Sequence, residues 1–502
     1  MLQRLSLTSL PGAKLPHLTR TTQERARAGP ILRMQFIFRL TAVAALLAAV
    51  TSPVRAQEAA PAPGASEPSA EAPAKPAPSA APDEPAKKSE LQALAEELRR
   101  LKLEIGISDV EYRSFAGMGP AASKVYFAPK GLSLGGYGEA YYRNQLGATG
   151  SELCKTSATA CDFSDILRVV LYTGYRFSDR IVFNAEIEYE HQRQVFVEFA
   201  YLDFLLTKAL QLRIGNVLVP VGFTNELHEP VFFHGVERPE VERNLIPSTW
   251  NENGVGLHGE VLPGLTYKLY GLAGLNVARR PSAGNWIRGL RTRGGTTDTG
   301  AGDRALAETF AGAVALAYER GPVAVGASAY YGRAGQGQAV QPLPQSGTQT
   351  RPQDLRTIDA DVSLVEAHAR FTWRGATLKA LAVQGTFGDA DLVNEKHQLT
   401  GTAGIGSRVR GGYVEGAYDV LSLRGGEAQL LPFVRYERLR LHDQVPAGWE
   451  RNPANDVQLL VTGLTYKPIP TVALKGDFTW RRTEVEENPV QRAVNVAAAF
   501  VF

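Results

Sequence analysis

The chain has 502 residues, a length that would allow about three ordinary soluble domains. Charged residues make up 21% and hydrophobic residues 44%, which excludes disorder throughout, and two cysteines exclude a disulfide-dense scaffold. The net charge of the chain is +3 only because residues 1–56 contain eight basic residues and one acidic residue. Without residues 1–56 there are 46 basic and 50 acidic residues, so the charge gives no reason to expect a nucleic-acid partner.

Residues 34–56 have the pattern of a secretory signal peptide. A basic residue is followed by an apolar run, Leu40–Val50, and the segment ends in Val-Arg-Ala, which resembles a cleavage site. The alternative is a membrane anchor, but the run is shorter than the ~20 residues that a transmembrane helix needs. We therefore expect export, and we interpret 1–56 as a signal peptide with a misassigned extension before Met34.

Three short segments follow the signal peptide. Residues 57–88 are rich in Ala and Pro and predict a disordered linker. Residues 89–106 predict a short coiled-coil helix, and the alternative is an amphipathic helix packed on its own chain. Residues 107–130 are interpreted as a connector. The heptad pattern rests on Leu91, Leu94, Leu98, Leu101 and Ile105.

From residue 131 to residue 502 the polarity alternates with a period of two. In 365–374, for example, Val, Ala, Ala, Phe and Trp alternate with Glu, His, Arg, Thr and Arg. A charged row opposite an apolar row is typical of strands with water on one side and lipid on the other. The runs are 131–145, 165–177, 180–192, 194–206, 209–219, 253–262, 265–276, 309–319, 322–332, 361–374, 376–387, 407–420, 428–441, 456–467, 470–482 and 490–502.

Sixteen such runs, joined by alternately short and long connections, predict an all-β fold: a sixteen-stranded antiparallel transmembrane β-barrel. Outer-membrane barrels have short periplasmic turns and longer outer loops. The even number of strands puts both chain ends at the periplasmic side. The expected location is therefore the bacterial outer membrane, with the N-terminal linker and helix in the periplasm, and a barrel of this size leaves a water-filled channel.

A family resemblance is carried by three stretches of the barrel segment. They are Ala-Tyr-Leu-Asp at 200–203, Leu-Arg-Ile-Gly at 212–215 followed by Pro-Val-Gly at 220–222, and Gly-Val-Gly-Leu-His-Gly at 254–259. The pattern resembles the phosphate-selective porin family, porins O and P. The resemblance implies a homotrimer, and a loop between the fifth and sixth strands that folds inward as a constriction.

Charged residues on the inward faces and in that loop, 220–252, are the candidate site. Arg213 ranks first because it begins the strand that leads into the loop. The pore-lining basic candidates are Arg143, Arg168, Arg176, Arg213, Lys268, Arg370, Arg374, Lys475 and Arg481. The constriction-loop acidic candidates are Glu226, Glu229, Glu237, Glu240, Glu242 and Glu252.

Other constellations give weaker indications. Cys154 and Cys161 predict a disulfide in the first long loop, because an exported protein meets an oxidising compartment. The loop acids near His228 and His234 could form a cation site, although a solvated pore loop explains them as well. No serine, histidine and acid have the spacing of a nucleophile and its base, so we expect no enzyme, and nothing indicates a cofactor or a bound metal.

The prediction is an outer-membrane porin for passive diffusion of small hydrophilic solutes or ions, narrowed by loop 220–252. One alternative is a phosphate- or polyphosphate-selective anion channel that uses the Arg and Lys row. Another is a structural tether, in which the linker and coiled coil attach the outer membrane to the cell wall. The expected partners are membrane lipid, two further copies of the chain, small anions or other solutes and possibly the cell wall.

Overall fold

A computed structural model describes residues 92–93, 96–97, 113–146, 162–291, 305–340, 355–486 and 490–502. Within these ranges, sixteen antiparallel strands form one closed barrel, and each pairs with its neighbour along the chain. The predicted fold is confirmed, and every predicted run overlaps one strand, with ends that differ by up to three residues. The barrel strands are β1 Gly131–Leu146, β2 Phe163–Arg176, β3 Ile181–Glu190, β4 Gln194–Phe204, β5 Gln211–Leu218, β6 Asn251–Leu262, β7 Leu265–Ala273, β8 Phe310–Arg320, β9 Val323–Arg333, β12 Asp361–Trp373, β13 Ala376–Phe387, β14 Arg408–Tyr418, β15 Gln429–Gln444, β16 Asp456–Ile469, β17 Val472–Thr483 and β18 Val490–Val501.

The barrel closes where β1 pairs with β18. The last residue takes part, because the amide and carbonyl of Phe502 exchange two 2.9 Å hydrogen bonds with those of Gly136. A Cβ at Gly136 would lie 2.7 Å from the Phe502 ring, so glycine permits this close approach. Closure leaves no unpaired strand edge, which is the requirement for a sheet in lipid.

The two ends of the barrel differ in their connections. At the turn end, where the chain enters and leaves the barrel, strands are joined by short segments. Gly264 in the β6–β7 turn has φ +82°, and a Cβ there would lie 2.2 Å from the Glu319 carbonyl oxygen. At the loop end the connections are mostly long, and one carries a small two-stranded sheet, β10 Ala339–Val340 and β11 Arg356–Thr357.

The alternation of side chains divides the wall into two faces. On β12, Val365, Phe371 and Trp373 are exposed on the outside, whereas Glu366 points inward and is buried. The same division holds on β18, where Val494 and Val496 are outside and Asn495 is inside. The outer face is therefore apolar and the inner face polar, as expected from the sequence.

In the described range 113–502, leaving out its gaps, two α-helices accompany the strands: α1 Pro120–Phe127 and α2 Ala390–Lys396. Helix α1 lies within the predicted connector 107–130, for which we expected no helix. Its Val125 packs against Gly174 of β2, where a Cβ would approach to 2.5 Å. None of the helices in the described residues combines the length and the apolar character needed to cross a membrane.

Several predictions fall largely or wholly on residues outside the described ranges. These are the signal peptide, the Ala/Pro-rich linker and both cysteines. Within 89–106 only residues 92–93 and 96–97 are described, and they are helical and exposed, whereas the apolar heptad positions lie outside. The coiled coil, the disulfide between Cys154 and Cys161 and the homotrimer stay predictions.

Candidate channel constriction

The segment between β5 and β6, residues 219–250, contacts the barrel wall far from the strands that it joins. The Lys475 ammonium on β17 donates hydrogen bonds to the carbonyl oxygens of Pro230, Phe233 and Gly235 at 2.6, 2.8 and 2.9 Å. The same ammonium lies 3.8 Å from the centre of the Phe233 ring. One basic candidate therefore holds the loop rather than facing water.

Inward-facing carboxylates on β12, β15 and β17 accept hydrogen bonds from loop amides. A loop has few partners for its own backbone, so buried amides require acceptors from elsewhere. The carboxylates fix the loop across the barrel interior. The pairs are Gly222 N–H with Glu366 of β12 at 3.3 Å, Val241 N–H with Glu437 of β15 at 3.0 Å, and Val236 N–H with Asp477 of β17 at 2.7 Å.

Two of the acidic loop candidates are buried anchors. Glu242 accepts hydrogen bonds from the Thr224 amide at 2.7 Å and from the Tyr413 hydroxyl at 2.6 Å. Glu229 accepts from the amides of Ala121 and Ala122 in α1 at 3.0 and 3.1 Å. Burial raises the pKa of the Glu229 carboxyl to about 8. The two amide hydrogen bonds lower this pKa, but their effect is smaller than that of burial. This carboxyl joins the loop to α1.

Three acidic candidates form ion pairs with basic candidates, and a fourth, Glu252, does not lie in the loop where we expected it. Glu226 pairs with Lys268, Glu240 pairs with Arg481 at 3.4 Å, and Glu237 lies 3.8 Å from Arg143. Glu252 is not a loop residue, because β6 already begins at Asn251. Its carboxylate is buried and accepts a hydrogen bond from the Trp250 indole at 3.1 Å.

Arg213, the first-ranked wall residue, is sealed from the channel. Its guanidinium is 1% exposed and makes two 2.8 Å hydrogen bonds to Asp203. The Tyr126 hydroxyl of α1 donates to Asp203 at 2.5 Å, and His258 lies 3.3 Å from the same carboxylate. We name Arg213, Asp203, Tyr126 and His258 the sealed cluster. Helix α1 covers it, so this pair does not meet solute.

Arg176 and Arg374 also have roles that alternation did not predict. Arg176 donates to the carbonyl oxygens of Tyr126 and Ala128 at 2.8 and 3.0 Å, and so fixes the C-terminal end of α1. Arg374 is not pore-lining. It follows the end of β12 in a turn with φ +47°, and its guanidinium stacks 4.6 Å from the ring of outward-facing Trp373.

Water-accessible space remains between the loop and the wall formed by β1, β2 and β15 to β18. One cavity of about 440 Å³ is lined by five arginines and three carboxylates. Among them are the candidates Arg143 and Arg481, whose side chains are 18% and 24% exposed. Arg243 and Glu237 form a 2.9 Å ion pair at its rim. These partly exposed charges face the open space of the cavity.

A neighbouring cavity of about 290 Å³ adds Arg168, Arg288 and Arg291 to the lining. Arg168 pairs with Glu139 at 2.7 Å and with Glu188 at 3.4 Å. The remaining basic candidate, Arg370, pairs with Glu319 towards the turn end of the lumen. The five arginines at these two cavities that the sequence candidates omitted are Arg238, Arg243, Arg288, Arg291 and Arg435.

The omissions have different causes. Arg435 lies in the run 428–441, where Arg435 and Arg438 fall on opposite faces, so alternation does not indicate which of the two faces inward. In the structure Arg435 is 2% exposed, between Glu415 at 3.1 Å and Glu437 at 2.8 Å. Arg238 and Arg243 lie in the loop, where no alternation of polarity indicates which side chains face the channel. Arg288 and Arg291 belong to a second long loop, and the Arg291 guanidinium reaches the Ser248 carbonyl at 2.6 Å.

The two loop histidines are engaged with wall carboxylates. His228 Nε2 lies 3.0 Å from Glu186, and His234 Nδ1 lies 2.8 Å from Glu415. In the part of the chain that the structure describes, no group of three or more His, Cys, Asp or Glu side chains has the geometry of a metal site. The contacts therefore favour bracing of the loop by these histidines over cation coordination.

No family model matches the chain. Among solved structures it is similar to an anion-selective porin from Comamonas acidovorans, at 11% identity and a TM-score of 0.44, covering 74% of this chain and 99% of that one. It is also similar to the trimer form of OmpT from Vibrio cholerae, at 12% identity and a TM-score of 0.43, covering 74% and 100%. An uncharacterized protein of Aquifex aeolicus (strain VF5) is 34% identical over 411 residues, covering 79% of this chain and 86% of that protein. That match is long and close enough to fix the family.

Proposed function

We propose that this chain, which belongs to the same family as the uncharacterized Aquifex aeolicus protein, forms a water-filled porin channel in the bacterial outer membrane. The observation that carries the proposal is the barrel wall, closed by sixteen strands, apolar outside and charged inside. Such a wall suits lipid on one side and water on the other. The function would be passive diffusion of small hydrophilic solutes or ions.

In this proposal residues 219–250 narrow the channel. The support is the set of hydrogen bonds between the loop and strands across the barrel, with Lys475 making three of them. Solute would pass through the space lined by Arg143, Arg243, Arg481 and Glu237. Charges act strongly at such a point because little water is present to screen them.

A second candidate function is anion selection, which the excess of arginines favours. The larger cavity has five arginines against three carboxylates, and the smaller one has five arginines against four glutamates. A ring of basic side chains attracts anions and repels cations. The charge that lines the cavities therefore differs in sign from that of the loop alone, whose candidate residues are acidic. The excess of arginines agrees with the phosphate-selective alternative in one respect, the positive sign of the charge.

Planar-bilayer recording of the purified full chain tests the channel. We expect stepwise conductance and, under a salt gradient, a reversal potential of the sign that anion preference gives. Titration with phosphate then separates a general anion channel from a phosphate-selective one, since only the latter is blocked at low phosphate. An absence of conductance from a correctly folded barrel would refute the porin proposal.

The narrowing role of the loop has its own test. Lys475→Met removes the ammonium that holds three loop carbonyls, so we expect larger and noisier conductance steps. The matched control is Lys208→Met in the β4–β5 turn, where the lysine is 74% exposed and forms an ion pair with Glu260. Equal conductance in the two variants would show that loop 219–250 does not limit flow.

A further inference from the structure

The outer wall carries a cluster of arginines where β14 and β15 reach the loop end. Arg408 and Arg410 lie on β14, and Arg438 and Arg440 lie on β15. Arg451, in the following loop, joins them. Their side chains are between 29% and 53% exposed. We name these five residues the arginine patch, and it faces away from the channel.

The patch has more positive charge than its buried acids neutralise. Arg408, Arg410 and Arg440 share Asp443, at 2.6, 2.7 and 3.9 Å. Arg438, Arg440 and Arg451 share Asp456, at 3.1, 3.0 and 3.7 Å. Arg410 lies directly opposite Arg440 in the strand register. Like charges in that position repel, so an added anion would stabilise the pair.

A shallow groove of small side chains lies directly below the patch. One row across the strands runs from Ala367 through Ala382 and Gly412 to Arg438. The next row pairs Ala369 with Ala380, and Val365, Val414 and Tyr436 are exposed around it. The open depression has a volume of about 1240 Å³. We name it the alanine groove.

We propose that the arginine patch and the alanine groove together bind a phosphate-bearing lipid of the outer leaflet. Guanidinium forks donate paired hydrogen bonds that match phosphate oxygens, and their planar geometry suits a lipid headgroup. The acyl chains would lie in the groove, where small residues leave space on an apolar wall. Tyr436 would mark the boundary, because tyrosine favours the level of the headgroups.

The depth of the patch agrees with this assignment. An arginine on the lipid face costs ~2–4 kcal/mol at the middle of the bilayer and ~0–1 near the surface. All five arginines lie at the loop end of their strands or beyond it, which is the outer surface if the proposed porin orientation holds. The lipid inference rests on that orientation but not on the channel activity.

Native mass spectrometry of the full chain in detergent, with bis-phosphorylated lipid A added, tests the proposal. We expect lipid to be retained by the wild type and bound at least ~10-fold more weakly by Arg410→Gln/Arg438→Gln, since each lost charged hydrogen bond weakens binding about tenfold or more. Arg193→Gln, at an exposed arginine in the β3–β4 loop, is the matched control and should bind as the wild type. Equal retention of lipid A without its phosphates would overturn the proposal.

A second variant keeps the test valid if the double variant fails to fold. Ala382→Trp fills the groove and leaves every arginine in place, so it should also lose lipid. Mobility on an unboiled gel identifies folded barrels. Wild-type conductance in the lipid-deficient variants separates this inference from the porin proposal. If the same variants changed the oligomeric mass and not lipid retention, the occupant would be a second copy of the chain, and the lipid proposal would be wrong.

Discussion

Two arginines on the inner wall and loop illustrate how differently one residue type is used in this barrel. Arg213 in the sealed cluster is 1% exposed, held by Asp203 and covered by α1. Arg243, at the rim of the larger cavity, is 31% exposed and shares Glu237 with Arg143. The first is a buried structural charge, and the second lines an open cavity. The difference is set by what lies over each residue.

The largest expected effect breaks the sealed cluster. Asp203→Ala leaves the Arg213 guanidinium buried without its carboxylate, which should lower the free energy of unfolding by about 3–5 kcal/mol. Urea unfolding in lipid vesicles, followed by tryptophan fluorescence, measures it. Asp203→Leu/Arg213→Leu removes both charges and should recover most of the loss. A mild effect of Asp203→Ala alone would mean that water reaches this pair.

The carboxyl that joins the loop to α1 gives a pH dependence. Since burial raises the pKa of Glu229 from its ordinary 4.5 to about 8, the folded state keeps a proton that the unfolded chain releases. Stability should therefore fall as pH rises from about 4.5 to about 8, by at most ~1.4 kcal/mol per pH unit. Glu229→Gln should lose this slope when unfolding is measured across the range. An unchanged slope would assign the dependence to another group.

A smaller effect, on ion selectivity, tests the more exposed of the two arginines, Arg243. Arg243→Gln should shift the anion-to-cation permeability ratio towards cations by about twofold to fivefold, which corresponds to ~0.5–1 kcal/mol of local potential. Reversal potentials under a salt gradient provide the measurement. Arg176→Gln is the control, because its guanidinium holds α1 carbonyls and lines neither cavity, and it should leave the ratio unchanged. Equal shifts in both variants would contradict the assignment of Arg243, at the cavity rim, to the path of the ions.

The smallest expected effect is on stability at the cavity rim. Glu237→Gln removes an ion pair whose two side chains are 29% and 31% exposed. Because exposed pairs contribute only about 0–1 kcal/mol, unfolding should change little. The same urea assay applied to this variant and to Asp203→Ala gives the direct contrast. A loss as large as that of Asp203→Ala would place Glu237 in a sealed environment.

The sequence predicted the strands far better than the site. Each strand has an alternating pattern of inward and outward side chains that is visible within a few residues, as at Val365, Glu366 and Ala367. The placement of Lys475 shows the limit, because its partner Pro230 lies 245 residues away along the chain. No periodicity in the local sequence indicates a contact between residues so far apart in the chain. The family resemblance indicated an inward loop, but not which wall residues hold it.

The sequence by itself determined the strand number, the apolar outer face and the polar inner face, because period-two alternation is a local property of extended chain in lipid. Tertiary structure decided which inward charges meet water. Helix α1 and loop 219–250 cover Arg213 and Lys475 and leave Arg143, Arg243 and Arg481 partly exposed. Coverage depends on contacts between distant segments, and alternation carries no information about them.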